Sequence, residues 1–126
     1  MTNDAKHQVL YALYAEYQKD VPDMRMVNEQ GLEMAFDVFA ASLLKLQNEG
    51  YIQGLVWVPP NEVCGGKIRS VYLGRTLLTR QGVEYVERLA EIDASEKASA
   101  KIAKLAKRAG MFGMAVLKEF ILSQLI

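Results

Sequence analysis

Between Tyr51 and Leu73 the hydrophobic pattern changes period, and that change limits the architectures open to the chain. Tyr51 to Val58 is rich in β-branched and aromatic residues, and Pro59-Pro60 closes it, since proline has no backbone donor for a ladder. Cys64-Gly65-Gly66 supplies turn residues. Lys67 to Leu73 then alternates, with Arg69, Val71 and Leu73 on one side and Ile68, Ser70 and Tyr72 on the other. Two strands around a loop of about eight residues predict one long antiparallel hairpin. The segments on both sides of it have helical period.

From Ala5 to Lys19, Val9, Leu10, Leu13, Tyr14 and Tyr17 recur at helical spacing, and Asn3 or Asp4 can cap the helix. Val21-Pro22-Asp23 stops it. A short second helix is expected from Asn28, with Val27 and Leu32 as a hydrophobic staple. The longer helix that follows, Met34 to Glu49, has Phe36, Phe39, Ala40, Leu43, Leu44 and Leu46 on its apolar face and Gly50 past its end. After the hairpin, Thr79 caps a helix that Val83, Val86, Leu89 and Ala90 continue. Ala94 to Arg108, rich in Ala and Lys, extends that helix or begins another, and Met114 to Ile126 forms an apolar end.

The order helix, short helix, helix, hairpin, helix predicts an α+β, mostly α, chain: a winged helix-turn-helix of three helices plus a two-stranded β-wing, with a C-terminal helical extension. Residues 1–92 form the expected winged-helix domain, and residues 93–126 the extension, basic then apolar. Leu46-Gln47-Asn48-Glu49-Gly50-Tyr51-Ile52 followed by Gly54 resembles the L-x-x-E-G-Y-I-x-G that ends the third helix and enters the wing in the YjcQ family. Leu78-Thr79-Arg80-Gln81-Gly82-Val83-Glu84-Tyr85 is similar to the L-T-x-x-G-x-x-Y after the wing there, and in many regulators of MarR and PadR type. The resemblance covers about residues 5–92, and its motifs are structural. It implies a small winged-helix protein of phage or prophage type from Gram-positive bacteria.

With 126 residues and 51% hydrophobic content the chain sustains one core. Fifteen basic and fifteen acidic groups cancel, yet residues 1–66 hold four basic against nine acidic groups, a net of −5. Residues 67–126 hold eleven against six, a net of +5. One cysteine, Cys64, forms no internal disulfide and fits a reducing compartment; with only His7 beside it, no zinc cluster or other metal site is expected. Met1-Thr2-Asn3-Asp4-Ala5 lacks the order of a signal peptide, and the apolar end carries Lys118 and Glu119 at its middle. A cytoplasmic protein is expected, with no transmembrane span.

Catalytic signals are nearly absent, and neither an enzyme nor a cofactor is expected. His7 reads as a surface residue, Cys64 has no second His to pair with, and Gly65-Gly66-Lys67 has the wrong spacing for a phosphate loop. Glu84, Glu87 and Glu91 are explained by pairing within their helix with Arg80 and Arg88.

The expected function is therefore binding. In a DNA-bound winged helix the third helix enters the major groove and the wing touches phosphate. Ser42, Lys45 and Asn48 are the candidates for base edges, and Lys67 and Arg69 for phosphate. One lysine against two or three carboxylates makes that helix a poor phosphate binder, so a protein-interaction module on the same scaffold is the alternative. Lys97, Lys101, Lys104 and Arg108 share one helix face and suit phosphates, anionic lipid or the acidic half of a neighbouring copy; a solvated face competes with all three. Phe112, Val116, Phe120, Ile121 and Leu125 are expected to bury the apolar end, between two copies in a dimer. Membrane attachment through the lysine face and the apolar end is the weakest reading.

Overall fold

The computed structural model describes residues 1–58 and 70–124. The expected wing tip with Cys64, Lys67 and Arg69, and the terminal Leu125, lie outside the described residues. The chain is mostly helical: α1 (Ala5–Tyr17), a 3-10 turn (Met24–Met26), α2 (Phe36–Asn48), four short strands, then α3 (Arg80–Leu89), α4 (Ala98–Met111) and α5 (Ala115–Ser123).

α1 is the centre of the core. Asp4 caps it by accepting the His7 backbone N–H at 2.9 Å. Val9 to Ala15 are all fully buried, because α2, α3, α4 and α5 each pack against this helix. The Tyr11 hydroxyl donates to the Thr2 carbonyl at 2.9 Å, and Glu16 Oε1 accepts the Asp23 N–H at 2.9 Å, whereas the buried Glu16 Oε2 accepts no hydrogen bond among the described residues. Lys19 Nζ stands 3.0 Å from that oxygen. Tyr17, expected on the apolar stripe, is exposed beyond the core.

The short helix expected from Asn28 is a pair of turns instead. Asn28 Oδ1 accepts the Gly31 N–H at 2.7 Å and begins a helical turn, but Glu33 adopts a left-handed φ of 52° and ends it. Val27 and Leu32 are nonetheless buried.

Three helices close in one way. Tyr51 N–H reaches the Leu46 carbonyl past Gly50, Ile92 N–H reaches Glu87 past Glu91, and Met114 N–H reaches Ala109 past Gly113, at 2.8–3.0 Å. In each the bridging residue has positive φ, the Schellman closure that satisfies otherwise orphaned carbonyls. The second of these separates α3 from α4, so the Ala/Lys-rich segment begins its own helix.

The hairpin consists of two short ladders. β1 (Ile52–Gln53) pairs antiparallel with β4 (Leu77–Leu78), and β2 (Val56–Val58) with β3 (Ser70–Tyr72). Between the ladders Gly54-Leu55 oppose Leu73-Gly74-Arg75-Thr76. Gly54 has φ 87°, and a Cβ there would lie 2.1 Å from the Arg75 carbonyl oxygen, so the crossing is open to glycine alone. α3 begins immediately after β4, its cap Thr79 accepting the Gly82 N–H at 3.0 Å.

The buried side chains of α1, α2, β1, α3, α4 and α5 form one hydrophobic cluster, with Tyr11, Tyr14, Phe39, Leu105 and Ile121 among its largest members. The last two helices thus share the core of the segments before them.

Candidate interaction surface

α2 turns Phe39, Leu43 and Leu46 into the core and leaves Asp37, Val38, Ala41, Leu44, Lys45 and Asn48 facing outward. Two expectations for this helix are corrected. Ser42 is only 4% exposed and its hydroxyl donates to the Val38 carbonyl at 2.7 Å, so it cannot read a base edge. It follows Phe39 by three and precedes Leu46 by four, which puts it on the inward row. Leu44, expected inside, is 42% exposed, as is Val38 one and a half turns earlier. Lys45 and Asn48 are exposed and adjacent on the outward face.

Beside this face, Asp37, Val38, Ala41 and Lys45 form a groove of about 390 Å³ with Asp4 and Lys6 at the start of α1. Lys6 is held there by Glu49 at 2.7 Å, and that carboxylate raises the Lys6 pKa. On the other flank a cleft of about 620 Å³ runs between Phe36, Phe39 and β3. Its rim cation, Arg25, is engaged by Asp23 at 2.9 Å.

Three of the four residues expected to form a basic partner-binding row on α4 are engaged within the chain. Lys101 Nζ lies 2.9 Å from Glu87 Oε2, with both side chains largely buried. Lys104 Nζ lies 2.9 Å from Glu96, and Arg108 pairs with Glu91 while donating to the Ala90 carbonyl at 2.8 Å. The row borders the apolar stripe of Ile102, Leu105 and Ala109, so burying that stripe brings it against Glu87 on α3 and Glu91 and Glu96 in the connection that follows. Of the expected stripe only Lys97 remains exposed, and Lys107 flanks the row beside Lys104 and Arg108. Glu87 also accepts the Tyr14 hydroxyl at 2.8 Å, so one buried carboxylate ties α1, α3 and α4 together. Burial, and then this carboxylate, push the Tyr14 hydroxyl above the usual tyrosine range.

His7 is likewise corrected from surface to interior. It is 6% exposed, with Nδ1 2.7 Å from Asp4 Oδ1 and Nε2 2.7 Å from the Tyr85 hydroxyl. Partial burial opposes ionisation of Asp4, but the His7 N–H and ring hold its carboxyl below the ordinary value. Tyr85 stacks on Tyr51 at 4.4 Å between centroids, and Arg88 lies over its other side at 5.7 Å. With the Asp4 carboxylate accepting a hydrogen bond from Nδ1–H, Nε2 is left to accept the Tyr85 O–H. The line resembles an acid–base relay, yet neither groove beside α2 includes His7 or Tyr85, and its two ends join α1 to α3.

Of the residues expected to join two copies, Ile121 is fully buried in the chain's own core, a correction to its expected role. α5 is apolar nearly all round because α1, α4 and the 28–33 turn each cover part of it. Phe120 reaches that turn, its ring 3.0 Å from where a Cβ of Gly31 would stand. Val116 and Phe120 are half-buried and Phe112 is exposed. Among the described residues no three His, Cys, Asp or Glu side chains form a metal-binding group, and no helix is long and apolar enough to cross a membrane. Comparison with family models, curated proteins and solved structures returns no match.

Proposed function

We propose that the chain is a non-enzymatic winged-helix binding protein whose α2 face meets a protein surface. α1, the 24–33 turns, α2, the hairpin and α3 follow one another in winged-helix order, with the turns in place of a second helix. In that scaffold α2 is the helix that enters the major groove of DNA. The observation that carries the protein reading is the make-up of its outward face. Val38 and Leu44 stand exposed beside Asp37, and Lys45 is the one outward cation of the helix. Phosphate attraction supplies most non-specific DNA affinity, so a largely apolar face whose one cation is balanced by Asp37 is poorly suited to a duplex. An amphipathic docking surface needs this composition. The resemblance to the YjcQ family is compatible with such an accessory role in a phage or prophage.

Duplex DNA is the second reading, favoured by Lys45 and Asn48, exposed one turn apart with donors and acceptors for base edges. Lys67 and Arg69 of the expected wing would add phosphate contacts. Titrating mixed-sequence duplex with the full chain separates the two. The protein reading expects no binding at low salt. Affinity that is present there and falls steeply at moderate salt overturns it in favour of DNA.

A further inference from the structure

The fold leaves the two charge halves of the sequence unmixed. Among the described residues, each of the eight ion pairs joins groups of the same half: four pairs lie within residues 1–66 and four within residues 67–126. What remains keeps an excess of opposite sign in each half. In the first half Asp20, Glu29, Glu33 and Asp37 are in no described pair, against Lys45 of the other sign, and Glu33 and Asp37 flank the start of α2 beside the exposed Val38. In the second half Arg75, Arg88, Lys97, Lys107 and Lys118 are in no described pair, against Asp93 and Glu119 of the other sign.

Two of those lysines frame a groove. Lys107 on α4 and Lys118 on α5 stand over a shallow space of about 410 Å³ floored by Ala103, Gly110, Met111 and Leu122. Met111 is 66% exposed, the most exposed bulky apolar side chain of the two helices. The α2 start therefore offers apolar surface beside the carboxylates Glu33 and Asp37, with Lys45 one to two turns further on, and the α4–α5 groove offers apolar surface beside two lysines.

We propose that a second copy of this chain seats its α2 start, with Glu33, Asp37 and Val38, on this α4–α5 groove at Lys107, Met111 and Lys118. The inference rests on the protein reading of α2 and supplies its partner. A second copy fits because its excess charges, −5 and +5, match in number. A partner of one sign would satisfy one half and be repelled by the other. The contact joins two different patches, and made reciprocally about a twofold axis it is an isologous interface that closes a dimer.

The test is the solution mass of the full chain by sedimentation at low salt. The wild type is expected above monomer mass, returning to monomer as salt rises. Lys107→Glu with Lys118→Glu, and separately Glu33→Lys with Asp37→Lys, should each weaken association by about tenfold or more. All four side chains lie at the surface, and circular dichroism checks that both variants remain folded. Mixing the two variants should restore the assembly, because the reversed groove of one then matches the reversed α2 start of the other. A wild type that is monomeric at low salt overturns the proposal, as do variants that associate normally or a mixture that stays monomeric. A monomeric wild type that binds anionic vesicles through the same lysines also overturns it and assigns the groove to lipid. DNA titration is scored separately, so a failure here leaves the reading of α2 standing or falling on its own result.

Discussion

Replacing Gly82 by alanine is expected to destabilise the fold by about 3 kcal/mol or more, although alanine is the better helix former by about 1 kcal/mol. A Cβ at Gly82 would lie 2.2 Å from the carbonyl oxygen of Tyr51, closer than any real contact. The neighbour cannot yield cheaply, because this carbonyl also accepts the Thr79 N–H at 3.0 Å. Thr79 Oγ1 in turn donates to the Gly50 carbonyl at 2.6 Å, and Gln81 donates to the Glu49 carbonyl at 3.3 Å. The end of α2, the entry to the hairpin and the start of α3 are therefore one hydrogen-bonded joint, and glycine is the residue that lets them close. Gly113→Ala is the matched control. It has φ 81° but nothing within 4 Å of the added atom, so only left-handed backbone strain of about 1 kcal/mol is expected. Urea unfolding of both variants at equal slope decides the matter. A Gly82→Ala midpoint no lower than that of Gly113→Ala would refute the joint.

Truncating Glu87 is the second large effect. Its carboxylate is buried between the Tyr14 hydroxyl and the Lys101 ammonium, and Glu87→Ala leaves both without their partner. Removing one member of a buried pair costs about 3–5 kcal/mol, since the remaining charge is desolvated and uncompensated. Lys101 lies near the surface, and its flexible stem can carry the ammonium to water, which sets the expectation at the low end. The double variant Glu87→Leu with Lys101→Met removes both charges together, and its cost is expected to be well below the sum of the single costs. Chemical unfolding of Glu87→Leu, Lys101→Met and the double variant measures the coupling. Single costs under about 1 kcal/mol, with simple additivity, would mean that the pair behaves as an exposed one. The same site sets an alkaline limit. With the Tyr14 hydroxyl raised above its unfolded value, its stabilisation is complete below the ordinary tyrosine pKa of about 10 and is lost as pH climbs beyond it.

Local chemistry made the helices legible. Asp4 and Thr79 cap where a side-chain oxygen precedes an apolar period, and Gly50 ends α2 where a left-handed residue is required. The features that escaped depend on partners distant in the chain. His7 meets Tyr85 across 78 positions, and a single histidine in a sequence carries no sign of such a partner. The rows Glu87–Glu91 and Lys101–Arg108 are both visible as i, i+4 and i, i+7 patterns. Local pairing within each helix competes with pairing between them, and burial of the stripe beside Lys101 decides for the latter. Arg80 with Glu84, fully at the surface, keeps the local choice. The short helix expected at Asn28 failed on one backbone angle, that of Glu33, which side-chain periodicity does not encode. For the candidate surface, the excess of acidic groups before residue 67 was legible, whereas the outward turn of Leu44 and the inward turn of Ser42 required the packing of α2. Spacing alone assigned both to the wrong row.

Hydrogen–deuterium exchange of the full chain, dilute and concentrated at low salt, tests most directly whether the open face of α2 is a protein contact. The account predicts that concentration slows exchange in the segment from Glu33 to Leu44 and in the α4–α5 tip around Lys107 to Lys118, while α1, already enclosed, is unchanged. Exchange that ignores concentration but slows across α2 when duplex DNA is added would contradict it.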